Sequence, residues 1–449
     1  MFHKILIANR GEIALRVIRA CREMGIESVI AHSEADRDSL PVREADEHIC
    51  VGPGASGKSY LNIPNIISAA LISNADAIHP GYGFLSENTS FAEICADARV
   101  TFIGPPVGAM QVMGDKVAAR RTMAELGVSM LPGTPVLRTL EEARKAVNRI
   151  GFPLMLKAAA GGGGRGIRLV EDEASFERLF TLAQNEAREA FRDDGIYLER
   201  YLAKARHIEV QVLVDNYGYG VHLGERNCSC QRRNQKVLEE SPSPHLPSEL
   251  RAEIGQRAVE AVVHVGYRNA GTLEFLVDEQ NRYYFMEMNT RLQVEHPVTE
   301  LVTSTDLVKE QIRIAAGLPL QLQQDAIMFR GHAIECRITA EDADADFRPQ
   351  TGTIERYLPP GGPGVRVDSH LYTGYNVPPH YDSLLAKLIV WDETRELAIA
   401  RMQRALDEYQ IEGLTTTIPF HKRLLRHQGF LSGDTYTRFL QEEAESLGI

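Results

Sequence analysis

The N-terminal part of the chain alternates between strand and helix patterns. Residues 4–8 (KILIA) and 28–33 (SVIAHS) are continuous apolar runs typical of buried strands. Between them, residues 11–24 have apolar positions at helical spacing, and Gly25 is placed to end that helix. A helix between two strands favours parallel pairing of those strands in one sheet. We therefore expect a parallel α/β domain that continues to about residue 114.

The bulk composition narrows the class of protein. A length of 449 residues suggests about three domains, and shares of 44% hydrophobic and 24% charged residues are typical of a soluble globular protein. The net charge of −12 argues against nucleic-acid binding, which needs a basic face. No apolar run approaches the roughly 20 residues of a membrane span, and the N-terminus lacks a signal-peptide pattern. The six scattered cysteines favour reduced thiols and a cytoplasmic location.

Two further regions follow the first. The second begins near GDKVAARRTMAELG, a helix for which Asp115 is the expected N-cap. The third begins near residue 331 and carries several β runs (HAIECRIT, GTIERYL, LAKLIVWD) before another helix. We expect domains at 1–114, 115–330 and 331–449.

The C-x-C pair of Cys228 and Cys230 is a weak metal signal without a second pair.

Residues 52–59 (GPGASGKS) match the P-loop pattern of nucleotide-binding proteins. In a P-loop, a helix starts at the Gly-Lys-Ser and its free N–H groups point at phosphate. Here Pro64 disfavours a continuous helix from Gly57, and Asn62 is a good cap for a helix that begins later. We therefore expect a surface loop at this segment.

A second glycine-rich stretch, KAAAGGGGRGIRLV, joins two strand patterns with no helix after it. Backbone without side chains can close over phosphates and offer several N–H donors, while Lys157 would supply a positive charge. The stretch thus predicts either a flap over a nucleotide or a plain mobile hairpin.

Acidic residues lie in the hairpin pattern of residues 271–289. With a turn at Gln280 and Asn281, Glu274 and Glu287 fall directly opposite each other, with Cβ atoms about 5 Å apart. Asn289 joins the same face. Two carboxylates and an amide oxygen suit Mg²⁺ bound with nucleotide phosphates, and a solvated acidic hairpin is the alternative.

The next segment, NTRLQVEHPVTE, continues the polar pattern. Arg291, Gln293 and Glu295 alternate, which predicts one strand-like face with a cation, an amide and a carboxylate. Arginine can bind a small planar oxyanion through two hydrogen bonds, and a neighbouring carboxylate can act as a base. The segment QRRNQK adds Lys236 and further donors.

Together these motifs resemble the biotin carboxylase family, the ATP-grasp component of biotin-dependent carboxylases. The resemblance covers essentially the whole chain and includes IANRGEIA, HPGYGFLSEN, MGDK, KAAAGGGGRG, GTLEF, EMNTRLQVEHPVTE, GHAIECRI and PPHYDSLLAKL. It implies an α/β and α+β chain. The implied parts are a Rossmann-like N-terminal domain, an ATP-grasp domain with a mobile glycine-rich lid at about 131–203, and a β-rich C-terminal domain.

The resemblance also implies roles for individual residues. ATP would contact Lys116, Lys157, Gly162, Gly163, Gly164, Glu199, Leu202, His207, Gln231, Asn234 and Leu276. Magnesium or manganese would bind Glu274, Glu287 and Asn289. Bicarbonate would bind Lys236, Arg291, Gln293 and Val294. Glu295 would be the base, Arg337 would stabilise the biotin enolate, and Tyr82 would lie at the biotin site. Asn234 departs from the histidine of many bacterial members, and asparagine does not titrate near pH 7.

The implied reaction is ATP-dependent attack of bicarbonate on the γ-phosphate, giving carboxyphosphate that releases CO₂ beside biotin. The implied partners are a biotin carboxyl carrier protein, carboxyltransferase subunits and a second copy of the chain, with Arg16 and Arg19 near a two-fold interface. Acetyl-CoA carboxylase, and hence fatty acid biosynthesis, is the expected parent system. The alternatives are a pyruvate, other acyl-CoA or urea carboxylase, a different ATP-grasp carboxylate ligase, and a non-catalytic nucleotide-binding regulator.

The chain contains no Met-Lys dipeptide, the sequence at which carrier domains of this class attach biotin. We therefore expect the biotin to be carried by a separate polypeptide.

Overall fold

The computed structural model describes residues 1–159 and 167–449, and its N-terminal part is a parallel sheet between helices. The strands are β1 (Lys4–Ile7), β2 (Glu27–Ser33), β3 (Glu47–Gly52), β4 (Ala77–His79) and β5 (Thr101–Phe102). The helices are α1 (Gly11–Glu23), α2 (Leu40–Glu44), α3 (Ile63–Ile72), α4 (Thr89–Asp97) and α5 (Val107–Gly114). The strand order is β3-β2-β1-β4-β5 with parallel pairing, which confirms the predicted α/β arrangement.

The P-loop-like segment does not start an α-helix. Ser56–Lys58 form a single 3₁₀ turn with Lys58 exposed, and α3 begins only at Ile63. Asn62 caps α3, because its side chain accepts a hydrogen bond from the backbone N–H of Asn65. Without a helix start at Lys58 the segment lacks the row of free N–H groups that binds phosphate. The prediction of a surface loop is confirmed.

The part that follows is a small antiparallel sheet with two covering helices. Its elements are α6 (Lys116–Glu125), α7 (Leu140–Ile150), β6 (Leu154–Ala158), β7 (Ile167–Val170), α8 (Glu173–Phe191) and β8 (Ile196–Arg200). The sheet order is β7-β6-β8, and α7 and α8 share an apolar core with it that is separate from the other cores. Asp115 caps α6 as predicted, accepting from the N–H groups of Val117 and Ala118.

The remaining elements build one large antiparallel sheet and its helices. The next elements are β9 (Arg206–Val214), β10 (Gly220–Arg232), β11 (Gln235–Ser241), α9 (Ser248–His264), β12 (Asn269–Val277), β13 (Tyr283–Asn289), α10 (His296–Thr303) and α11 (Leu307–Ala315). The later strands are β14 (His332–Thr339), β15 (Glu341–Asp342), β16 (Arg348–Pro349), β17 (Gly352–Thr353), β18 (Arg356–Leu358), β19 (Val365–Ser369), β20 (Asn376–Val377), β21 (Leu384–Asp392) and β22 (Gln410–Glu412). The later helices are α12 (Arg395–Glu408), α13 (Ile418–Leu424), α14 (Gln428–Leu431), α15 (Phe439–Glu442) and α16 (Ala444–Leu447).

Eight strands form a continuous sheet in the order β13-β12-β9-β10-β11-β14-β21-β19. This sheet crosses the boundary predicted at residue 330, because β11 and β14 pair with each other. The predicted run GTIERYL is divided into β17 and β18, which pair with β20 and β22 in separate two-stranded sheets. The third region thus extends the sheet of the second one.

The two faces of the large sheet differ in polarity. On β9, Ile208, Val210 and Val212 face an apolar core with α9, and β14 and β21 pack the same way on α12. The alternate residues of β9, His207, Glu209 and Gln211, are polar yet buried. Helix α10 packs on β10, β11, β14 and β21. Because side chains alternate between the faces of a strand, the polar residues lie on the face that α10 covers. Among the described residues, no helix has the length and apolar character needed to cross a membrane.

Candidate active site

A cavity of about 1130 Å³ lies on the polar side of the large sheet and receives residues from all three regions of the chain. Most of the predicted site residues line it: Tyr82, Lys157, Glu199, His207, Gln231, Asn234, Lys236, Glu274, Glu287, Asn289, Arg291, Gln293, Val294 and Arg337. Leu202, Leu276 and the fully buried Glu295 do not line this cavity as the described residues define it. Lys116 is the first residue of α6, with its side chain outside the description, and Gly162, Gly163 and Gly164 lie outside the described residues.

The acidic hairpin has the predicted register at Glu274, which lies directly opposite Glu287. The predicted centre of the turn, between Gln280 and Asn281, was wrong by half a residue. Nearer the turn, Phe275 pairs with Phe285, which places the centre at Gln280. Met286 is the extra residue of a β-bulge that brings the two glutamates back into opposition. The bulge therefore preserves a pairing that the turn alone would have shifted.

Glu274 is held by polar groups on several sides. Its Oε1 accepts from Asn289 Nδ2 at 2.8 Å and from Lys236 Nζ at 3.0 Å, and its Oε2 lies 3.1 Å from His207 Nε2. Burial alone would raise the pKa of Glu274, but the Lys236 and His207 charges outweigh it and hold the pKa below its usual range. The carboxylate is therefore anionic. With Glu287 and Asn289 it offers the hard oxygen donors that a divalent cation such as Mg²⁺ prefers.

Lys236 connects three carboxylates. Its Nζ donates to Glu209 Oε2 at 2.6 Å, to Glu274 at 3.0 Å and to Glu295 Oε1 at 2.6 Å. Burial lowers the pKa of Lys236, but the surrounding acids outweigh it and raise the pKa well above its usual value. Glu209 also groups with Cys228 and Glu295 closely enough for a metal ion. The ammonium already balances those acids, so we assign no metal to that group.

Glu295 lies directly before α10 and is fully buried. Its Oε1 accepts from Lys236, and its Oε2 accepts from Arg337 Nη2 at 3.0 Å. Burial raises the pKa of Glu295, but the charges of Lys236, Arg337 and Arg226 outweigh it and place the pKa well below its usual range. The predicted base and the predicted enolate-stabilising cation are therefore direct neighbours.

The prediction of a strand-like face at Arg291, Gln293 and Glu295 is wrong. Residues 290–295 form bends and a turn that lead into α10, and β13 ends at Asn289. Arg291 Nη1 donates to Gln293 Oε1 at 2.9 Å and Nη2 donates to Asn289 Oδ1 at 3.1 Å. The side chains meet because the backbone folds back at the end of the sheet. Alternation along a strand does not bring them together.

The predicted nucleotide residues form two contact groups. Lys157 and Arg120 both donate to the carboxylate of Glu199, which is almost fully buried. On the other side, Gln231 Nε2 donates to His207 Nδ1 at 2.5 Å. His207 therefore lies between a predicted nucleotide contact and the predicted metal ligand Glu274.

Asn234 has a conformational reason to differ from histidine. It is the second residue of the two-residue turn between β10 and β11, where Arg232 pairs with Gln235. Arg233 has a φ of 49° and Asn234 a φ of 62°, both in the left-handed region. A hairpin turn of this kind favours asparagine strongly. The substitution therefore suits the turn while keeping the residue at the cavity.

Tyr82 and Arg16 both make contacts within the chain. The hydroxyl of Tyr82 donates to Glu12 Oε1, which leaves the ring at the cavity. Arg16 is buried and its Nη2 donates to Glu300 at 2.9 Å and to Asp306 at 2.6 Å. Arg19, in contrast, is exposed.

Several charged residues of the site were missed by the sequence argument. Glu209 was detectable, because β9 places polar residues at alternate positions of an otherwise apolar strand. Glu87, which accepts from Arg291 Nε at 2.9 Å, carries no such signal, since it contacts a residue more than two hundred positions away. The other missed residues are Arg120, Arg226 and Glu239.

Three family models match the chain in order. They are Biotin carboxylase, N-terminal domain, at residues 1–110; Carbamoyl-phosphate synthase L chain, ATP binding domain, at 115–323; and Biotin carboxylase C-terminal domain at 335–442. A Biotin carboxylase from Nostoc sp. is 59% identical over 442 residues, which are 98% of this chain and 99% of the relative.

Solved structures resemble the whole chain. A biotin carboxylase complex from Campylobacter jejuni has a TM-score of 0.96 and 49% identity, covering 98% of this chain and 99% of that one. The biotin carboxylase domain of 2-oxoglutarate carboxylase from Hydrogenobacter thermophilus, a dimer with MgADP, ADP and bicarbonate, has a TM-score of 0.95 and 49% identity. It covers 100% of this chain and 99% of that one. The predicted ATP-grasp fold is confirmed, and the chain belongs to the biotin carboxylase family of ATP-dependent ligases.

Proposed function

We propose that the protein carboxylates biotin, attached to a separate carrier protein, with ATP and bicarbonate as the other substrates. The observation that carries this proposal is the chain of contacts from Glu274 through Lys236 and Glu295 to Arg337 at one cavity. In this proposal the four residues act, in that order, as a metal-binding carboxylate, an anion-binding cation, a base and a second cation. A ligase that activates a larger carboxylic acid would need an open pocket for that substrate in the place that this polar cluster occupies.

Bicarbonate is the substrate at the centre of the cluster. Arg291, Gln293, Lys236 and the backbone of Val294 line the cavity together, and a planar oxyanion can take two hydrogen bonds from the guanidinium. Glu295 accepts the proton as bicarbonate attacks the γ-phosphate of ATP to give carboxyphosphate. The proton transfer and the attack both require the reacting atoms to lie close together in the correct orientation. The buried ion pairs hold the side chains in that arrangement.

ATP lies, in this proposal, between the small sheet and the large one. Lys157 reaches the phosphates, and Glu199 holds Lys157 and Arg120 in place. Gln231 and His207 line the opposite wall. Glu274, Glu287 and Asn289 would hold Mg²⁺ or Mn²⁺, whose chemistry there is neutralisation of phosphate charge.

Biotin meets carboxyphosphate on the side of Arg337 and Tyr82. Carboxyphosphate breaks down to CO₂ and inorganic phosphate, and the phosphate accepts the proton of the ureido nitrogen. The resulting enolate attacks CO₂, and a fixed guanidinium stabilises its developing charge. The carrier docks transiently, since it must leave for a carboxyltransferase subunit that carries the carboxyl group onward.

The assignment to acetyl-CoA carboxylase and fatty acid biosynthesis is the finer part of the proposal. It is supported by the match over nearly the full length of both chains to a Biotin carboxylase from Nostoc sp., since acetyl-CoA carboxylase is the commonest parent of a separate subunit of this length. The domain of a 2-oxoglutarate carboxylase, at 49% identity, makes another carboxylase the alternative. A homodimer is supported by the dimer seen in that relative, with the exposed Arg19 of α1 at the interface. All six cysteines are free, which fits a reducing cytoplasm.

The proposal is tested by ATP hydrolysis with bicarbonate, in the presence and absence of free biotin. We expect ADP release that requires bicarbonate and is stimulated by biotin. Release without stimulation at high biotin would contradict the proposal and favour the other carboxylate ligases. Binding of ATP without turnover would favour the non-catalytic regulator.

Lys58→Ala and Lys157→Ala distinguish the two glycine-rich phosphate-loop candidates. We expect Lys58→Ala to leave ATP turnover unchanged, because Lys58 is exposed and starts no helix. Lys157→Ala should raise the KM for ATP about 10- to 100-fold, since a hydrogen bond to a charged group contributes roughly 1.5–3 kcal/mol. Steady-state kinetics measure both variants. A folded Lys58→Ala protein without activity would restore the P-loop interpretation.

A further inference from the structure

Arg337 is held by two carboxylates that meet at the Nε–Nη2 edge of its guanidinium, with Glu239 Oε1 also 2.5 Å from Nη2. Its Nε donates to Glu239 Oε1 at 2.6 Å, and its Nη2 donates to Glu295 Oε2 at 3.0 Å. Glu239 lies on β11 and is fully buried, whereas Arg337 lies on the neighbouring strand β14 and reaches the cavity. We propose that Glu239 is a positioning residue that fixes Arg337 for the biotin step; this proposal rests on the proposed function.

The two carboxylates that hold Arg337 differ in what the reaction does to them. Glu295 gains a proton when it acts as the base and at that moment loses its ion pair with Arg337. Glu239 takes no proton from a substrate in this scheme, so its hydrogen bond to Nε persists. A free arginine side chain populates many rotamers, and an anchor that persists keeps the guanidinium aimed at the enolate. Glu239 can therefore hold Arg337 throughout the reaction, which Glu295 cannot do.

Glu335 gives Glu239 an unusual environment. The two residues are directly opposite each other in the β11–β14 register and both are fully buried. Among the described residues, Glu239 Oε2 and both carboxylate oxygens of Glu335 have no hydrogen-bond partner. Two adjacent buried acids with three of their four oxygens unpaired are not both ionised.

The charge falls on Glu239 for a physical reason. Burial raises the pKa of Glu335 well above its usual value, despite the charge of Lys387. Burial also raises the pKa of Glu239, but the Arg337 charge opposes it, and the pKa is about 7. Glu335 is therefore the neutral member. It lets Glu239 carry the single negative charge that pairs with Arg337.

The test compares Glu239→Ala with Glu239→Gln in the intact enzyme. Glutamine keeps an oxygen that accepts from Arg337 Nε, and alanine removes it. We expect Glu239→Ala to lower kcat of biotin-dependent ADP release about 10- to 100-fold, the loss of one charge-assisted hydrogen bond. The KM for ATP and the ADP release without biotin should change less than about threefold, and Glu239→Gln should recover kcat to within about fivefold. Glu335→Gln, which keeps a neutral side chain of the same shape, is the matched control and should behave like the wild type.

Crystal structures of the variants separate this inference from the proposed function. We expect the guanidinium of Arg337 to leave its position in Glu239→Ala and to keep it in Glu239→Gln. An unmoved Arg337 in the alanine variant would overturn the positioning role whatever the activity shows. Equal loss in the alanine and glutamine variants would also overturn it. If alanine prevents folding, Glu239→Asp retracts the carboxylate by one methylene and should show the same displacement and loss.

Discussion

Glu295→Gln is expected to lower the bicarbonate-dependent carboxylation of biotin by about 10²–10⁴-fold, the usual contribution of a general base. Glutamine has the shape of glutamate, and its single carbonyl oxygen can still accept a hydrogen bond from Lys236 or from Arg337, so the cavity should persist. What it cannot do is accept a proton from bicarbonate. The loss of activity would therefore measure the missing proton transfer, because the site itself should stay folded.

The low pKa of Glu295 makes it a weak base before the substrate binds. Lys236 and Arg337 hold both of its oxygens. Bicarbonate is an anion, and when it shares the ammonium of Lys236 that cation stabilises Glu295 less. The pKa of Glu295 then rises toward the value that proton acceptance needs. In the proposed mechanism, binding of bicarbonate thus activates the base that deprotonates it.

Rapid measurement of ADP and carboxybiotin formation would check the result. Glu279→Gln, an exposed glutamate at the tip of the β12–β13 hairpin, is the matched control and should have wild-type rates. A folded Glu295→Gln enzyme that retains more than about a tenth of the activity would exclude Glu295 as the base.

Arg337→Ala is expected to lower biotin carboxylation about 10²–10³-fold, as the removal of one preorganised donor does at a developing negative charge. The affinity for ATP should stay within about threefold, because Arg337 contacts Glu239 and Glu295 and has no contact with the predicted nucleotide residues in the described part of the chain. The step from carboxyphosphate to carboxybiotin should be the slow one.

The alanine variant leaves the buried carboxylate of Glu239 without its cation and leaves Glu295 with Lys236 as its remaining ion-pair partner. Removal of one partner from a buried ion pair costs about 3–5 kcal/mol, so a lower Tm is expected and must be measured. Arg337→Lys keeps the positive charge but lacks the planar fork of the guanidinium, and it should be more stable than the alanine variant yet still slow. Arg356→Ala, on an exposed arginine, is the control. A collapse of ATP affinity with an unchanged carboxylation step would contradict the role of Arg337.

Local sequence patterns determined much of this protein. The caps at Asn62 and Asp115 depend on side chains that bond the backbone two or three residues away, and they were predicted correctly. The parallel N-terminal sheet follows from short apolar runs separated by a helix. The opposition of Glu274 and Glu287 is also local, since one hairpin joins them. In each case the interacting groups are near in sequence, so residue type and spacing contain the information.

Tertiary structure decided which of the charged residues meet. Arg337 reaches Glu295 only because β14 joins the large sheet beside β11, and α10 then lies over both strands. Glu239 appears in the sequence as one of two adjacent acids, with nothing to mark it as buried against Arg337. The contact of Arg291 with Gln293 likewise arises from the bends and the turn that lead from β13 into α10. Strand order and burial arise from contacts between distant segments, whereas a charged side chain has the same sequence signature whether it is exposed or buried.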